Sequence, residues 1–394
     1  MRASRTGWGR LREFASRNRA CLFLALANLA QHRLRLVVAL IGTAVPIVLL
    51  VLQIAFLDAA RVQVTRLYDY FAFDIAFLPQ TYQFLVEGGT FDRVRLTQAR
   101  AVPEVVETFS LNIDTSNWTA EATETRSPLL LIGVDEPGNF IRAPGLRESI
   151  AGLRSNRSVL VDAFSAQDFG PLQIGTAAEI AEQPVEIAGT FQLGLFFYAD
   201  GSAILRNADF ARLTRRDSRD TSIGLLRLAE NADAERVKEQ LIRVLPADVR
   251  VLTRNELIAQ ERAFFIATKP IGIMLSISMW IAFLVGAVIL LQVISTEIVN
   301  RMTEFATLNA MGFDAGFVYG VGILEALLLG LGAFVPAFVV GAIILWAVEA
   351  MTNLPAGVTP ALAFSVLMIV LAMCTVSAGA AIRRIAHADP AELY

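Results

Sequence analysis

Histidine, cysteine and lysine carry much of the chemistry proteins do, and this chain has almost none of them. Its 394 residues include two histidines, His32 and His387, two cysteines, Cys21 and Cys374, and two lysines, Lys238 and Lys269. None of those histidines or cysteines falls within Asp58 to Pro270, the long stretch of mixed polarity. That stretch therefore lacks the base of a Ser-His-Asp site, a thiol nucleophile and the usual zinc ligands. Carboxylates alone could serve a glycosidase, but no feature of the sequence places two of them together. Neither lysine stands in the G-x-x-x-x-G-K-[ST] context that cradles nucleotide phosphates. The chain is thus not a P-loop ATPase, and ATP-driven work would need a second polypeptide.

The elements available to position any site are mostly apolar. Hydrophobic residues make up 55% of the chain and charged ones 18%, against roughly 25% charged in an ordinary soluble domain. Four runs are long enough to span a bilayer: 36–57, 271–294, 317–348 and 361–382. At ~1.5 Å per residue the shortest covers ~33 Å, enough for a hydrocarbon core of ~30 Å. The first run is too long for the ~7–15-residue apolar region of a cleaved signal.

Arginine sets the expected orientation. Arg2, Arg5, Arg10, Arg12, Arg17, Arg19, Arg33 and Arg35 precede the first run against the single acid Glu13, which keeps that segment in the cytoplasm. Arg383 and Arg384 follow the last run, whereas residues 349–360 hold no basic residue. The reading in order is a cytoplasmic segment with an interfacial helix (1–35), a first span (36–57), a periplasmic α+β domain with stalk helices (58–270), a second span (271–294), a cytoplasmic helical segment (295–316), a third span (317–348), a short periplasmic loop (349–360), a fourth span (361–382) and a cytoplasmic tail (383–394). The net charge of −3 gives no support to nucleic-acid binding.

Helical character continues past Leu57 to Tyr68, a first stalk. Thr253 and Glu256 have capping-box spacing before a second, which stops at Lys269-Pro270. Between them alternation marks strands at 129–133, 158–161, 185–189, 222–228 and 249–252, with a helix from about Ala232 to Val244. Residues 112–201 read as a second subdomain inserted into the first.

Apart from hydroxyl residues, the amide and acidic residues within the spans are Gln53, Gln292 and Glu325. Gln53 suits a helix–helix hydrogen bond. Glu325 is the one carboxylate inside a span, so it is either functional or bonded to a neighbouring helix near the cytoplasmic end. In the third span Gly316, Gly320, Gly330 and Gly341 belong to small-residue pairs four apart, the spacing that lets backbones approach.

The segment Glu297 to Gly312 stands out between two spans. Ile298, Met302, Phe305, Leu308 and Met311 recur at helical steps and make one apolar face, Glu297, Arg301 and Glu304 can pair along the other, and Gly312 supplies a stop. By itself this could be a plain connecting loop.

The segment's pattern, Arg301-x-x-Glu304-x-Ala306-x-Leu308-x-Ala310-x-Gly312, together with four spans and a large domain between the first two, resembles the MacB/LolC/FtsX-type permeases of ABC transporters. Residues 304–312 are similar to the E-Y-A-T-L-K-A-M-G of DevC-like permeases, with Phe305 in place of the tyrosine and Asn309 in place of the lysine. Glu325-Ala326-Leu327, Phe191-Gln192-Leu193-Gly194 with Asp200-Gly201, Leu252-Thr253 and Ala388 to Glu392 are similar again. The resemblance implies a four-helix membrane protein with a porter-like α+β domain and its inserted subdomain, a homodimer in the bacterial inner membrane, and no catalytic, cofactor or metal site of its own. ATP and Mg would sit on a separate ABC ATPase, which the coupling residues Glu297, Arg301, Glu304, Phe305, Leu308, Met311 and Gly312 would contact. It further implies a periplasmic membrane-fusion protein, a route to a TolC-like outer-membrane channel, and a lipid, glycolipid or amphiphile as cargo. FtsX-like regulation of a periplasmic hydrolase, LolC-like lipoprotein extraction and ligand sensing without an ATPase are the other readings.

Overall fold

In hydrocarbon a segment must satisfy its own backbone hydrogen bonds, so each long apolar run becomes a helix. The computed structural model describes residues 33–120, 125–136, 140–153, 157–194, 196–300, 315–352 and 354–386. In chain order the elements are α1 (Arg33–Thr65), β1 (Ile75–Pro79), β2 (Phe91–Asp92), α2 (Val94–Ala99), β3 (Val105–Ala120), β4 (Arg126–Val134), α3 (Pro144–Ala151), β5 (Ser158–Asp162), β6 (Ala177–Ile180), β7 (Gln183–Phe191), β8 (Gly201–Arg206), α4 (Asn207–Thr214), β9 (Asp220–Thr221), β10 (Ile223–Leu228), α5 (Ala234–Val244), β11 (Val249–Thr253), α6 (Arg254–Thr268), α7 (Pro270–Asn300), α8 (Ala315–Thr352) and α9 (Pro360–Ala386). They divide into two compact units: Asp58–Met274 with Val348–Pro355, and the rest.

The membrane unit is built on α1, α7, α8 and α9, whose candidate spans have mean hydropathies between 2.4 and 2.6. Their outward faces stay apolar; Leu284, Ile343 and Trp346 are exposed, as suits a solvent of lipid. Pro46 and Pro336 lie inside α1 and α8 without ending them. Helix α1 does not stop where its apolar run stops: it continues through Asp58 to Thr65 and tightens into a 3₁₀ turn over Arg66–Tyr70.

The outer domain is one nine-stranded sheet in the order β11-β1-β10-β3-β4-β8-β5-β7-β6, and β6 also pairs back onto β3. Trp118 faces Ile180 and Ala120 faces Ala178 across that last seam. Strands β3, β4, β8, β5, β7 and β6 therefore close on themselves as a six-stranded barrel, which leaves no free edge among them. Strand β3, 16 residues long, makes this possible by serving two sheets. Val105 to Leu111 pair with β10 in the open part, and Leu111 to Thr119 pair with β4 in the barrel. The inserted subdomain is thus the barrel, and Asn112, where sequence alone starts it, lies in the middle of a shared strand.

Side-chain alternation separates the cores. Leu129 and Leu131 of β4 join Trp118, Phe169, Val159 and Ile187 inside the barrel, whereas Leu130 and Ile132 join Phe109, Leu111 and Tyr68 on the other side. Both faces of β4 are buried, which explains its unbroken apolar run. Trp118 is fully buried, stacks on Phe169 at 5.3 Å, and its indole N–H donates to the Phe169 carbonyl at 3.1 Å. On the open sheet, Ile75 and Phe77 of β1 pack with Val237 and Leu241 of α5, and Ala76 and Leu78 pack with Leu257 of α6.

Helix α6 begins at a complete capping box. The Thr253 hydroxyl accepts from the Glu256 N–H at 3.4 Å, and the Glu256 carboxylate accepts from the Thr253 N–H at 2.9 Å. Replacing Thr253 by Ala is expected to cost about 1 kcal/mol. The check is urea unfolding of the outer domain, where the midpoint should fall with an unchanged slope; an unmoved midpoint would contradict the role given to this cap.

Candidate functional site

Within the outer domain, the polar contacts with most reach along the chain gather where the two stalks enter it. Three segments meet there: the 3₁₀ turn after α1, the loop from Pro79 to Glu87, and α6. Helix α6 buries Leu257, Glu261 and Phe265, one stripe at steps of four, so the acid at its centre points into protein. Glu261 and Tyr68 are fully buried, and Tyr82 is nearly so. The Glu261 carboxylate accepts from the Tyr68 hydroxyl at 3.2 Å, from the Tyr82 hydroxyl and from the Leu85 N–H at 3.3 Å. The two hydroxyls are 3.0 Å apart. Among the described residues no cation forms an ion pair with Glu261.

Removing a carboxylate from water costs several kcal/mol, and neutral hydrogen bonds return only part of it. The contact therefore works as a specific three-way tie more than as a source of stability. Other contacts reinforce it. Arg262 of α6 donates to the Thr65 hydroxyl at 3.1 Å, at the last residue of α1. Phe84 packs edge-on against Tyr198 at 5.8 Å and stacks with Phe264 and Phe265 at 5.9 and 6.2 Å. Lys269 pairs with Glu87 and lies over the Phe84 ring at 5.4 Å. A Cβ on Gly272 would stand 2.2 Å from the Phe265 carbonyl oxygen, so the close approach of the first turn of α7 to the end of α6 requires glycine.

The Phe191 to Gly194 motif belongs to the same assembly. Asp162, at the end of β5 and 1% exposed, accepts from the Leu193 and Gly194 N–H groups at 3.1 and 2.7 Å. Gly194 has φ +92°, a conformation open to glycine. The Tyr70 hydroxyl donates to the Gln192 carbonyl. The barrel is thereby fastened to the turn that ends the first stalk. Burial raises the Asp162 carboxyl above the ordinary range against the pull of those backbone hydrogen bonds.

The residues expected from sequence fall as follows. Arg301, Glu304, Phe305, Leu308, Met311 and Gly312 lie outside the described residues, as do Cys21, His32 and His387; Glu297 is in the last turn of α7. Gln53 donates to the Leu275 carbonyl at 3.4 Å. Gln292 is exposed on α7, and Glu325 is 7% exposed on α8. Gly316 is in the first turn of α8. A Cβ on Gly330 would meet Cys374 Sγ at 2.6 Å, and one on Gly341 would meet Val51 at 2.8 Å, whereas one on Gly320 would meet nothing within 4 Å. Among the described residues no group of three His, Cys, Asp or Glu side chains could hold a metal. Sequence reading missed Tyr68, Tyr82, Glu261 and Asp162; the available signal was Glu261 at a buried position of a helical stripe.

Residues 276–390 match the family model described as FtsX-like permease C-terminal. The chain carries an FtsX-like permease domain. That domain takes in most of α7, all of α8 and α9, and the segment joining α7 to α8, and among the described residues four helices are long and apolar enough to cross a membrane. Among solved structures the chain is similar to the periplasmic region of MacB from Actinobacillus actinomycetemcomitans, at 7% identity and TM-score 0.34 over 46% of this chain and 89% of that one. It is also similar to the extracellular domain of the noncanonic ABC-type transporter YknZ from Gram-positive bacteria, at 11% identity and TM-score 0.33 over 46% of this chain and 98% of that one. No curated protein sequence matches it.

The permease-domain glycines give a graded expectation. Gly330→Leu and Gly341→Leu should each destabilise the helix bundle by about 1–3 kcal/mol through overpacking, and Gly320→Leu should leave it near native. Unfolding in mixed micelles with rising SDS measures this; equal effects at all three positions would contradict the packing described.

Proposed function

We propose that this chain is the permease subunit of a DevC-like ABC exporter, a homodimer in the bacterial inner membrane with both termini cytoplasmic. The observation that carries the reading is the FtsX-like permease domain over 276–390, with the amphipathic segment Glu297 to Gly312 between two of its spans. The narrower DevC-like assignment rests on the similarity of residues 304–312 and of the Glu325-Ala326-Leu327 and Phe191 to Gly194 motifs.

In this reading a separate ATPase binds ATP and Mg. Arg301 and Glu304 make polar contacts to it, Phe305 and Leu308 anchor in its groove, Met311 continues their apolar face, Glu297 pairs with Arg301, and Gly312 supplies the stop. Nucleotide-driven movement of the spans passes along α1 and α7 to the stalks. The outer domain, in the periplasm, works with a membrane-fusion protein that leads to a TolC-like channel. The cargo is a lipid, glycolipid or amphiphile entering from the membrane or periplasm. The absence of lysine from every P-loop context supports an ATPase on another chain, and the arginine-rich N-terminal segment supports the orientation.

The test is affinity purification of the tagged chain from its own membranes with a non-hydrolysable ATP analogue. Recovery of an ABC ATPase with a membrane-fusion protein is the expected result. An ATPase with a cell-wall hydrolase or a lipoprotein instead would replace export by regulation or extraction, and no ATPase would overturn the reading. Replacing Phe305 and Leu308 together by Asp should cut ATPase recovery by at least about tenfold, since buried anchors dominate such contacts, with the bundle still folded by SDS titration. Undiminished recovery would contradict the coupling role.

A further inference from the structure

The tie at Glu261 has one unusual property: it is an acid held by neutral groups only. The titratable groups that face it come from each element packed against it, Tyr68 from the first stalk, Tyr82 from the Pro79 to Glu87 loop and Tyr198 from the Phe196 to Ala199 hairpin. Burial raises all three tyrosines well above their ordinary value, so they stay neutral. The cations on the surrounding elements point to other partners: Lys269 pairs with Glu87, Arg262 donates to the Thr65 hydroxyl, and Arg250 donates to the Tyr82 carbonyl and to Gln260. The Tyr198 hydroxyl is buried without a hydrogen-bond partner among the described residues. Among the described residues no cation pairs with Glu261, so its ionisation would add one charge at this site without an ion-pair partner.

We propose that Glu261 is a proton-sensitive pin that sets how firmly both stalk ends are held to the outer domain. Protonated, the carboxyl completes a neutral hydrogen-bonded cluster with Tyr68 and Tyr82 and spans three segments without an uncompensated charge. Ionised, it leaves a charge in an enclosed site, and opening of the joint to water becomes easier. Desolvation pushes its carboxyl from 4.5 up to about 7, against the hydrogen bonds from Tyr82, Leu85 and Tyr68. The sign follows from that direction. A raised pKa means the closed joint keeps a proton that the open joint releases, so the joint is firmest in acid and loosens as pH rises towards about 7. Above that pH both forms are ionised and the dependence ends. The inference stands whether or not the chain belongs to an exporter, because it concerns contacts inside the outer domain.

The experiment is hydrogen–deuterium exchange of the full chain in lipid nanodiscs, corrected for the intrinsic exchange rate at each pH. Peptides covering 66–70 and 254–268 report the joint. In the native protein their opening equilibrium should rise by about tenfold per pH unit between about pH 5 and 7, and level off above. Glu261→Gln should flatten that slope while peptides from the barrel are unchanged. Tyr82→Phe, which keeps the acid and removes one donor to its ionised form, should move the end of the slope to higher pH. A flat native profile, or the same slope in Glu261→Gln, overturns the proposal. If Glu261→Gln fails to fold, an unmoved profile in Tyr82→Phe overturns it as well.

Discussion

A carboxylate shut away from water at the meeting point of three chain segments is the constraint on which the outer domain's attachment depends. Glu261 is 193 residues from Tyr68 and 179 from Tyr82, so this contact decides how the beginning and end of the domain are brought together. Apolar packing around it is extensive but non-directional. Leu257 and Phe265 would bury their surface against several neighbouring arrangements. The carboxylate is satisfied only when both hydroxyls and the Leu85 N–H converge on it, and that requirement fixes the rotation and height of α6 against the turn that ends the first stalk.

From this joint two routes lead outward. One is short: Arg262 donates to the Thr65 hydroxyl at the end of α1, and Gly272 lies beside the Phe265 carbonyl near the end of α6. The other passes from Tyr70 to the Gln192 carbonyl and on through Asp162 into the barrel. Strand β3 closes the circuit, since its first half lies beside β10 and its second half is a stave of the barrel. The open sheet, the barrel and both stalk ends thus share hydrogen bonds rather than only surface. For the proposed coupling this matters because a displacement at the stalks reaches the barrel through directional contacts.

Much of this architecture is readable from sequence where the signal is local. The four spans announce themselves by length. The order β10, α5, β11, α6 is equally clear, because alternation, Pro246, the Thr253 and Glu256 cap and Pro270 punctuate it. The less legible parts depend on distant partners. Strand β1 is five buried residues without alternation, and a run that short gives no period. In β3 the apolar residues Phe109, Leu111 and Ile113 face one core while Trp118 faces another, so no single pattern covers the strand. The seam of β3 with β6 joins Ala120 to Ala178, a pairing with no local trace. The same limit applies to the joint: Tyr68 and Tyr82 look like ordinary aromatic residues, and only Glu261, an acid where the α6 stripe calls for an apolar side chain, breaks a local rule.

The claim that Glu261 holds both stalk ends to one body is tested most directly by a distance measurement. Spin labels at Arg61→Cys and Ala267→Cys, both exposed positions, would be placed in the full chain after replacement of Cys21 and Cys374. The spread of their separation would be read by electron paramagnetic resonance in nanodiscs at mildly acidic pH. One narrow distribution is expected with Glu261 in place, and a broad or multiple one with Glu261→Leu, which leaves the tyrosine hydroxyls without their acceptor. The same width in both proteins would contradict the account and leave the joint to apolar packing alone.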